Sequence, residues 1–418
     1  MGIFTKKTKK IASILLILSL ISLIPLFSGC NNGSAKNGEE DIGNGEIVPE
    51  EPTIHKVGFI YRGSVGNSTH NLIWENGRIQ LERNLGVETY YIEDVFVKNF
   101  MEAVELLIER GVTVIVSTCH SFANITERAA NENRDIDFIS FGGKTAQFNL
   151  ASFQPLLYQP ANISGLAAAL NTDASSIGIV ADNRMFNSAG VINAYIEGAK
   201  DVLEPNLTTY VNYVSSDSER EIRQAVDDLV SKGNDVIMLY LGSDYGIKYC
   251  ESIGVNVVAY SGNLPNLAPD NYITGFYFNV DSYLTEQVRF IQNDIFFPQV
   301  TVGWLETGSS QLIRLNSTVS DETVELTELL FSSLIRNDRV FMGQIIDRFG
   351  TVQVEHGVTL SYTDVLAIDW LDASASGNNV TSFTEPVAEV ALIPLVVKGS
   401  PLPPAESESA TSTEEEQE

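Results

Sequence analysis

Cysteine is scarce. Three occur in 418 residues, with no CxxC pair and no Cys/His cluster, which excludes a disulfide framework and a structural zinc module. Histidine is also sparse: His55, His70, His120 and His356 leave few general bases, and no GxSxG elbow offers a nucleophile. Basic side chains are outnumbered 26 to 54 by acidic ones, for a net charge of -28. A nucleic-acid binder needs a basic face, so that partner class is excluded. No period of 20–50 residues recurs, which rules out a solenoid. After residue 27 there is no second apolar run as long as the first. What remains is globular in composition, 44% hydrophobic and 19% charged. At about 150 residues per domain the length allows two to three folded units.

The first thirty residues carry an address. Lys6, Lys7, Lys9 and Lys10 precede Ile11–Phe27, which is polar only at Ser13, Ser19 and Ser22, and Leu26-Phe27-Ser28-Gly29-Cys30 follows. A basic start, an apolar centre and small residues before a cut site make a secretory signal. A membrane-spanning anchor competes, but Pro25 interrupts a run already near the short limit for crossing. Leu-Phe-Ser-Gly-Cys resembles a bacterial lipobox, with Phe27 where an aliphatic residue is usual, so Cys30 is expected to carry lipid and hold the chain at the outer face of the cell membrane. Cys119 and Cys250 are expected to be buried thiols. Residues 30–53, rich in Asn, Gly, Glu and Pro, read as a flexible acidic tether, and 399–418 as a disordered acidic tail.

Between these ends, short β-branched runs alternate with amphipathic stretches. Lys56–Tyr61, Val87–Ile92, Val112–Ser117 and Ile136–Phe141 read as strands of one unit, the last closing it. Ile177–Ala181, Thr209–Val214, Val236–Tyr240 and Val255–Tyr260 repeat the scheme. Strands without polar alternation, separated by helices, are those of parallel sheets covered on both faces. The expected fold is α/β: two doubly wound lobes joined by hinge strands. The first lobe takes residues 54–160 and about 261–298, the second 161–260 and about 299–398. The hinges are expected near Gln159–Asn162, Tyr260–Asn263 and Phe297–Thr301.

Ligands of open parallel sheets bind outside the carboxyl ends of strands. The candidate loops are Arg62–Asn71, Thr118–Asn124, Ser215–Asp217, Leu241–Asp244 and Ser261–Asn263, together with Tyr240 at the end of its strand. Their Asn, Ser, His and Gly suit hydrogen bonding to a polar molecule. Gly63–Gly66 lacks both GxxxxGK[ST] and GxGxxG, so a phosphate loop is not expected; a tight turn with a helix N-cap at Asn67, Ser68 or Thr69 is. His70, His120 and Cys119 could meet as a metal site, but no carboxylate is spaced to join them. The bland alternative packs one ring on a ligand and uses the other to cap a helix. Neither a metal nor a cofactor is expected.

At these loops the chain resembles the basic membrane lipoprotein family. The residues that carry the resemblance are Val57-Gly-Phe-Ile-Tyr-Arg-Gly-Ser-Val-Gly, Trp74-Glu-Asn-Gly-Arg78, Val112-Thr-Val-Ile-Val-Ser-Thr, Gly143-Lys-Thr, Tyr158-Gln with Gly165-Leu-Ala-Ala-Ala, Ile177-Gly-Ile-Val-Ala, and Asp369-Trp370-Leu371. It covers roughly Ile54 to Leu371. It implies a lipid-anchored substrate-binding protein of an ABC importer with the two-lobed type I periplasmic-binding fold, a permease as partner, a purine nucleoside or base as the default ligand, and no enzymatic activity. Monomeric action goes with it. By the same resemblance His70 falls on an aromatic that stacks on the base, and Asn71 on its polar neighbour. Asn67 and Asn124 stand where Asp is usual, Gln159 where Glu is, and Gly242 and Asn263 at positions often acidic; Phe122, Asp217 and Tyr240 complete the expected ligand set. Each replaced carboxylate removes a charge-assisted acceptor of about 1.5–3 kcal/mol, which points to an uncharged or anionic polar ligand. Two alternatives stay open: a sensing receptor without a transporter, and an exported metal-dependent hydrolase using His70, His120 and Asp217.

Overall fold

The computed structural model of the protein describes residues 55–182, 184–215, 218–377 and 394–400. The expected signal, Cys30, the tether, Asp217 and the tail beyond Ser400 lie outside the described residues.

The runs without polar alternation form strands buried on both faces. The first half holds β1 (Lys56–Ile60), α1 (Thr69–Leu85), β2 (Glu88–Ile92), α2 (Phe100–Glu109), β3 (Val114–Ser117), α3 (Ala123–Glu132), β4 (Asp137–Phe141) and β5 (Leu150–Pro155). Next come α4 (Tyr158–Ala169), β6 (Ser176–Ala181), α5 (Ser188–Leu203), β7 (Thr208–Tyr213), α6 (Glu219–Ser231), β8 (Val236–Tyr240), α7 (Tyr245–Ile253), β9 (Asn256–Tyr260), α8 (Leu264–Leu267) and β10 (Tyr272–Phe278). The chain then forms α9 (Asp281–Ile291), β11 (Val300–Gly303), β12 (Ser310–Leu312), α10 (Asp321–Arg336), a hairpin of β13 (Ile345–Ile346) and β14 (Val352–Val354), α11 (Tyr362–Val365), β15 (Ala375–Gly377) and β16 (Lys398–Ser400).

Two seven-stranded sheets result, in the orders β11-β5-β4-β3-β1-β2-β16 and β12-β10-β9-β8-β6-β7-β15. Pairing is parallel except at β16 on β2 and β12 on β10. This is the doubly wound α/β architecture expected from the alternation of strands and helices.

The division of the chain differs in detail from expectation. β4 does not close the first sheet, because β5 and β11 pair beyond it. Residues 272–278, expected in the first lobe, are β10 and pair with β9 in the second sheet. The short α8 connection keeps β10 beside the strand before it, as consecutive parallel strands prefer. β11, expected in the second lobe, pairs with β5 in the first. The chain therefore passes between sheets after β5, after β10 and after β11, and again between β15 and β16. Of the segments expected as hinges, Gln159–Asn162 lies in the first passage, and Phe297–Thr301 spans the end of the second passage and the start of β11. Tyr260–Asn263 lies away from the passages, running from the end of β9 into its connection with β10 of the second sheet. Gly399 and Ser400, read as the start of the tail, belong to β16. Leu395 and Val397 pack against the first-sheet core and Lys398 pairs with Glu93, which fastens this segment to β2 rather than to the second lobe.

Two features fix the layers. Behind β1 and β2, Arg78 of α1 is 2% exposed. Its guanidinium donates to Glu75 at 2.6 and 2.8 Å, to Glu82 at 2.8 Å and to Thr89, so a buried charge is fully compensated. In the second lobe α4 and α5 cross closely enough that only glycine fits at the contact. A Cβ on Gly165 would stand 1.9 Å from the Tyr195 carbonyl oxygen, and one on Gly198 1.9 Å from that of Asn162. No side chain can yield there, because the obstacle is backbone. Gly165→Ala should therefore destabilise the protein by about 1–3 kcal/mol, as overpacking does, and lower the melting temperature measured by circular dichroism. An unchanged melting temperature would refute the close crossing.

Candidate functional site

The carboxyl ends of β1, β3 and β4 face those of β6, β8 and β9 across a cavity of about 650 Å³, its open mouth included. Arg62, His70, Asn71, Cys119, His120 and Phe141 line it from the first lobe; Asp182, Arg184, Met185, Phe186, Tyr240 and Tyr260 line it from the second.

Ser68 starts α1 by accepting a hydrogen bond from the Asn71 amide at 3.1 Å. This sets His70 in the first helical turn, facing the second lobe. The Thr118 carbonyl oxygen, 2.7 Å from His70 Nε2, can only accept, so Nε2 carries the proton. In the neutral ring Nδ1 is then an acceptor, and the Tyr260 hydroxyl donates to it across the cleft at 3.0 Å. Burial lowers the His70 pKa to about 4, the Thr118 carbonyl working the other way, so the ring is neutral at pH 7. Its edge meets Phe141, with ring centroids 5.1 Å apart. Phe141 in turn stacks on Phe278 at 5.0 Å and meets Phe186 at 5.3 Å. Tyr240 donates its hydroxyl to the Phe186 carbonyl at 2.6 Å, which holds the loop after β6 in the cavity wall.

Charge enters through four residues. Asp182 is 4% exposed and accepts from Arg184 Nε at 2.8 Å, from the Arg184 amide at 2.8 Å and from its terminal NH2 group. Arg62 donates to Ser121 at 3.2 Å. Burial raises the Cys119 thiol, but hydrogen bonding to His120, the charges of His120 and Arg62, and the Ser121 hydroxyl outweigh it and bring its pKa down to about 6. Cys250 is buried elsewhere, in the second lobe, and burial pushes it up to about 12. Among the described residues no three His, Cys, Asp or Glu side chains gather as a metal site.

Of the ligand set expected from the sequence, His70, Asn71 and Tyr240 share this cavity, as do His120 and Cys119, considered there as metal ligands. Asn71 is 1% exposed and spends its amide nitrogen on the carbonyls of Arg62, Gly63 and Ser64 at 3.0, 3.0 and 3.4 Å, so it shapes the loop as well as the wall. The others lie elsewhere. Phe122, fully buried, packs against Phe100 at 5.0 Å beneath β3, because the turn that carries it points the ring into the core. Asn124 is exposed and lines a neighbouring recess with Lys144 and Asn187. Gln159 sits at the first passage between lobes, where it accepts from the Leu305 amide at 3.1 Å and donates to Asp338 at 3.1 Å. Asn263 borders a separate groove with Thr69 and Ser261. Gly242 lies behind Met185, which would be 3.9 Å from a Cβ there. Asn67 lies in the short helical turn Val65–Asn67 before α1. Asp182, Arg184, Met185 and Phe186 were missed, although the rule that ligands bind at strand carboxyl ends applies to β6, the strand they follow.

The profile of one family, described as ABC transporter substrate-binding protein PnrA-like, matches residues 54–325. A purine-binding protein of Brucella abortus is 25% identical over 224 residues, covering 52% of this chain and 63% of that protein. A Haloferax volcanii protein described as a candidate glucose-binding protein of an ABC transporter is 22% identical, covering 66% of this chain and 70% of its own. The fold is also that of an ABC transporter solute-binding protein from Aeropyrum pernix, with a TM-score of 0.60 at 14% identity over 75% of this chain and 96% of that one. The matched span takes in both sheets up to α10 and stops before the Asp369-Trp370 segment. The chain belongs to the PnrA-like family of ABC transporter substrate-binding proteins.

Proposed function

We propose that this protein is an extracytoplasmic receptor subunit, anchored by lipid at Cys30, that captures a small polar ligand by closing its two lobes and delivers it to an ABC permease. The ligand class is a purine nucleoside or base. One observation carries this reading: the cavity has a wall from each sheet, and His70 of the first lobe is hydrogen-bonded to Tyr260 of the second at 3.0 Å. The wall rings Phe141, Phe186, Tyr240 and Tyr260 suit a flat heterocycle, and the Brucella relative is a purine-binding protein. No helix among the described residues is long and apolar enough to cross a membrane, which leaves attachment to the N-terminal segment.

In this mechanism the ligand first docks on one lobe. The other lobe swings on the passages after β5, β10 and β11 and adds contacts that exist only when closed. Those contacts shift the open–closed equilibrium toward the closed form. His70 serves as a latch between the lobes in addition to any contact with the ligand. Both of its ring nitrogens are engaged, which leaves the hydrolase alternative without a base at this position.

Thermal-shift screening of the purified protein against nucleosides, bases, sugars and amino acids tests the ligand class. A ligand at 100 times its Kd should add about 2.7 kcal/mol of stability; a rise with another class and none with purines would overturn the assignment. The latch has its own signature in acid. Folded His70 titrates at about 4 and an unfolded His near 6.5, so between those values the unfolded chain binds the extra proton. The stabilisation is fully present above pH 6.5 and falls by on the order of 3 kcal/mol as pH drops to 4. Asp137, raised to about 6 by burial, contributes with the opposite sign in both proteins and drops out of the difference. Urea midpoints of the wild type and His70→Gln, compared from pH 7 to 4, should converge on acidification; parallel curves would refute the latch.

A further inference from the structure

The loop that leads into the cavity wall is held from the far end of the chain. Residues 62–68 leave β1 and enter α1, where Ser68 sets His70 and Asn71. Three bonds tie this stretch to the loop after β2. The Val95 amide donates to the Tyr61 carbonyl at 3.0 Å, the Asp94 amide to the Gly63 carbonyl at 3.4 Å, and the Val65 amide to Glu93 Oε1 at 2.6 Å. Of the three, the last alone uses a side chain. Val65 opens the short helical turn Val65–Asn67, so its amide is one that such a turn leaves without an internal partner, and Glu93 supplies it. The carboxylate has a second holder, because Glu93 Oε2 accepts from the Lys398 ammonium of β16. In the antiparallel ladder Lys398 stands opposite Tyr91, which makes Glu93, two residues on, a diagonal neighbour within reach of a long side chain. The Glu93 side chain is 12% exposed, and a carboxylate so sheltered needs a counter-charge. Burial raises its pKa, but Lys398, the Val65 amide and Ser64 outweigh that and hold it below the usual glutamate value.

We infer that Lys398 is a positioning residue of the cleft: through Glu93 it fixes the 62–68 loop, and with it the placement of His70 and Asn71 against a bound molecule. The family match ends at residue 325, so the capture of a ligand depends on a segment of the chain that lies beyond the matched span. The effect on affinity rests on the proposed purine reading; the effect on the loop does not.

Hydrogen exchange of the detergent-solubilised full chain, read by peptide mass spectrometry, tests the clamp without a ligand, since it reports local opening. Lys398→Gln keeps the backbone pairing of β16 and removes the charge. Peptides within 62–71 should exchange about threefold to tenfold faster than in the wild type, the scale of one partly exposed bond between charged groups. Peptides of β1 and β3 should not change, and Lys398→Arg should restore the wild-type rate. Adding Lys398→Gln to Glu93→Gln should have no further effect, because both act through one contact. Unchanged exchange within 62–71, an equal rise in β1 and β3, or additive effects of the two substitutions would overturn the inference. Calorimetry with inosine, adenosine, guanosine and hypoxanthine carries the test to function. A compound that binds the wild type should bind Lys398→Gln about threefold or more weaker, with Lys398→Arg restoring the affinity. Equal affinity for the wild type and Lys398→Gln would overturn the positioning role and leave the purine reading standing. A wild type that binds none of the four would overturn the purine reading instead, while the exchange comparison still decides the clamp.

Discussion

One histidine ring decides how the two lobes meet. His70 spends its single proton on the Thr118 carbonyl in its own lobe and its single lone pair on the Tyr260 hydroxyl in the other. The two bonds depend on each other, because a neutral imidazole offers one donor and one acceptor, and choosing the first fixes the second. Burial among Phe141, Phe278 and Tyr260 keeps the ring neutral and so preserves the arrangement. The aromatic cluster around it is continuous from Trp74 through Phe141 and Phe278 to Tyr260 and Tyr240. Between the lobes, apolar packing and one polar pair act on the same interface.

Much of this architecture was legible in the sequence. Parallel strands are announced by unbroken β-branched runs, and Val57-Gly-Phe-Ile, Val114–Ser117, Val236–Tyr240 and Val257-Val-Ala-Tyr all became central strands. The less legible elements were those whose neighbours lie far away in sequence. Val300–Gly303 has no local feature that assigns it to β5 rather than to the second sheet, and Lys398–Ser400 becomes a strand only because the edge of β2 is open to it. A boundary that depends on a partner 148 or more residues away cannot be read from a window of local pattern.

The site was half legible for a different reason. His70, Asn71 and Tyr240 sit at strand ends or in the first turn of a helix, where geometry follows from topology. Phe122 and Gln159 were expected in the ligand set from their order along the chain, whereas the structure packs the first into the core and sets the second at the passage between lobes. The loop after β6 carries Asn183, Asn187 and Ser188 as the other candidates do, and it supplies both the acid and a base of the cavity. Its chemistry lies in the Asp182–Arg184 pair, which looks unremarkable until the backbone brings it opposite Arg62.

The strand β16 has a topological meaning. The chain begins its fold with β1 in the first sheet, leaves it after β5, returns after β10, leaves again after β11, and regains it between β15 and β16. Four passages are an even number, so both ends of the described fold belong to the same rigid half. Whatever restrains either end restrains that half alone. On the proposed closure the second half swings while both ends of the described fold stay with the first, so a ligand is clasped without displacing either of them.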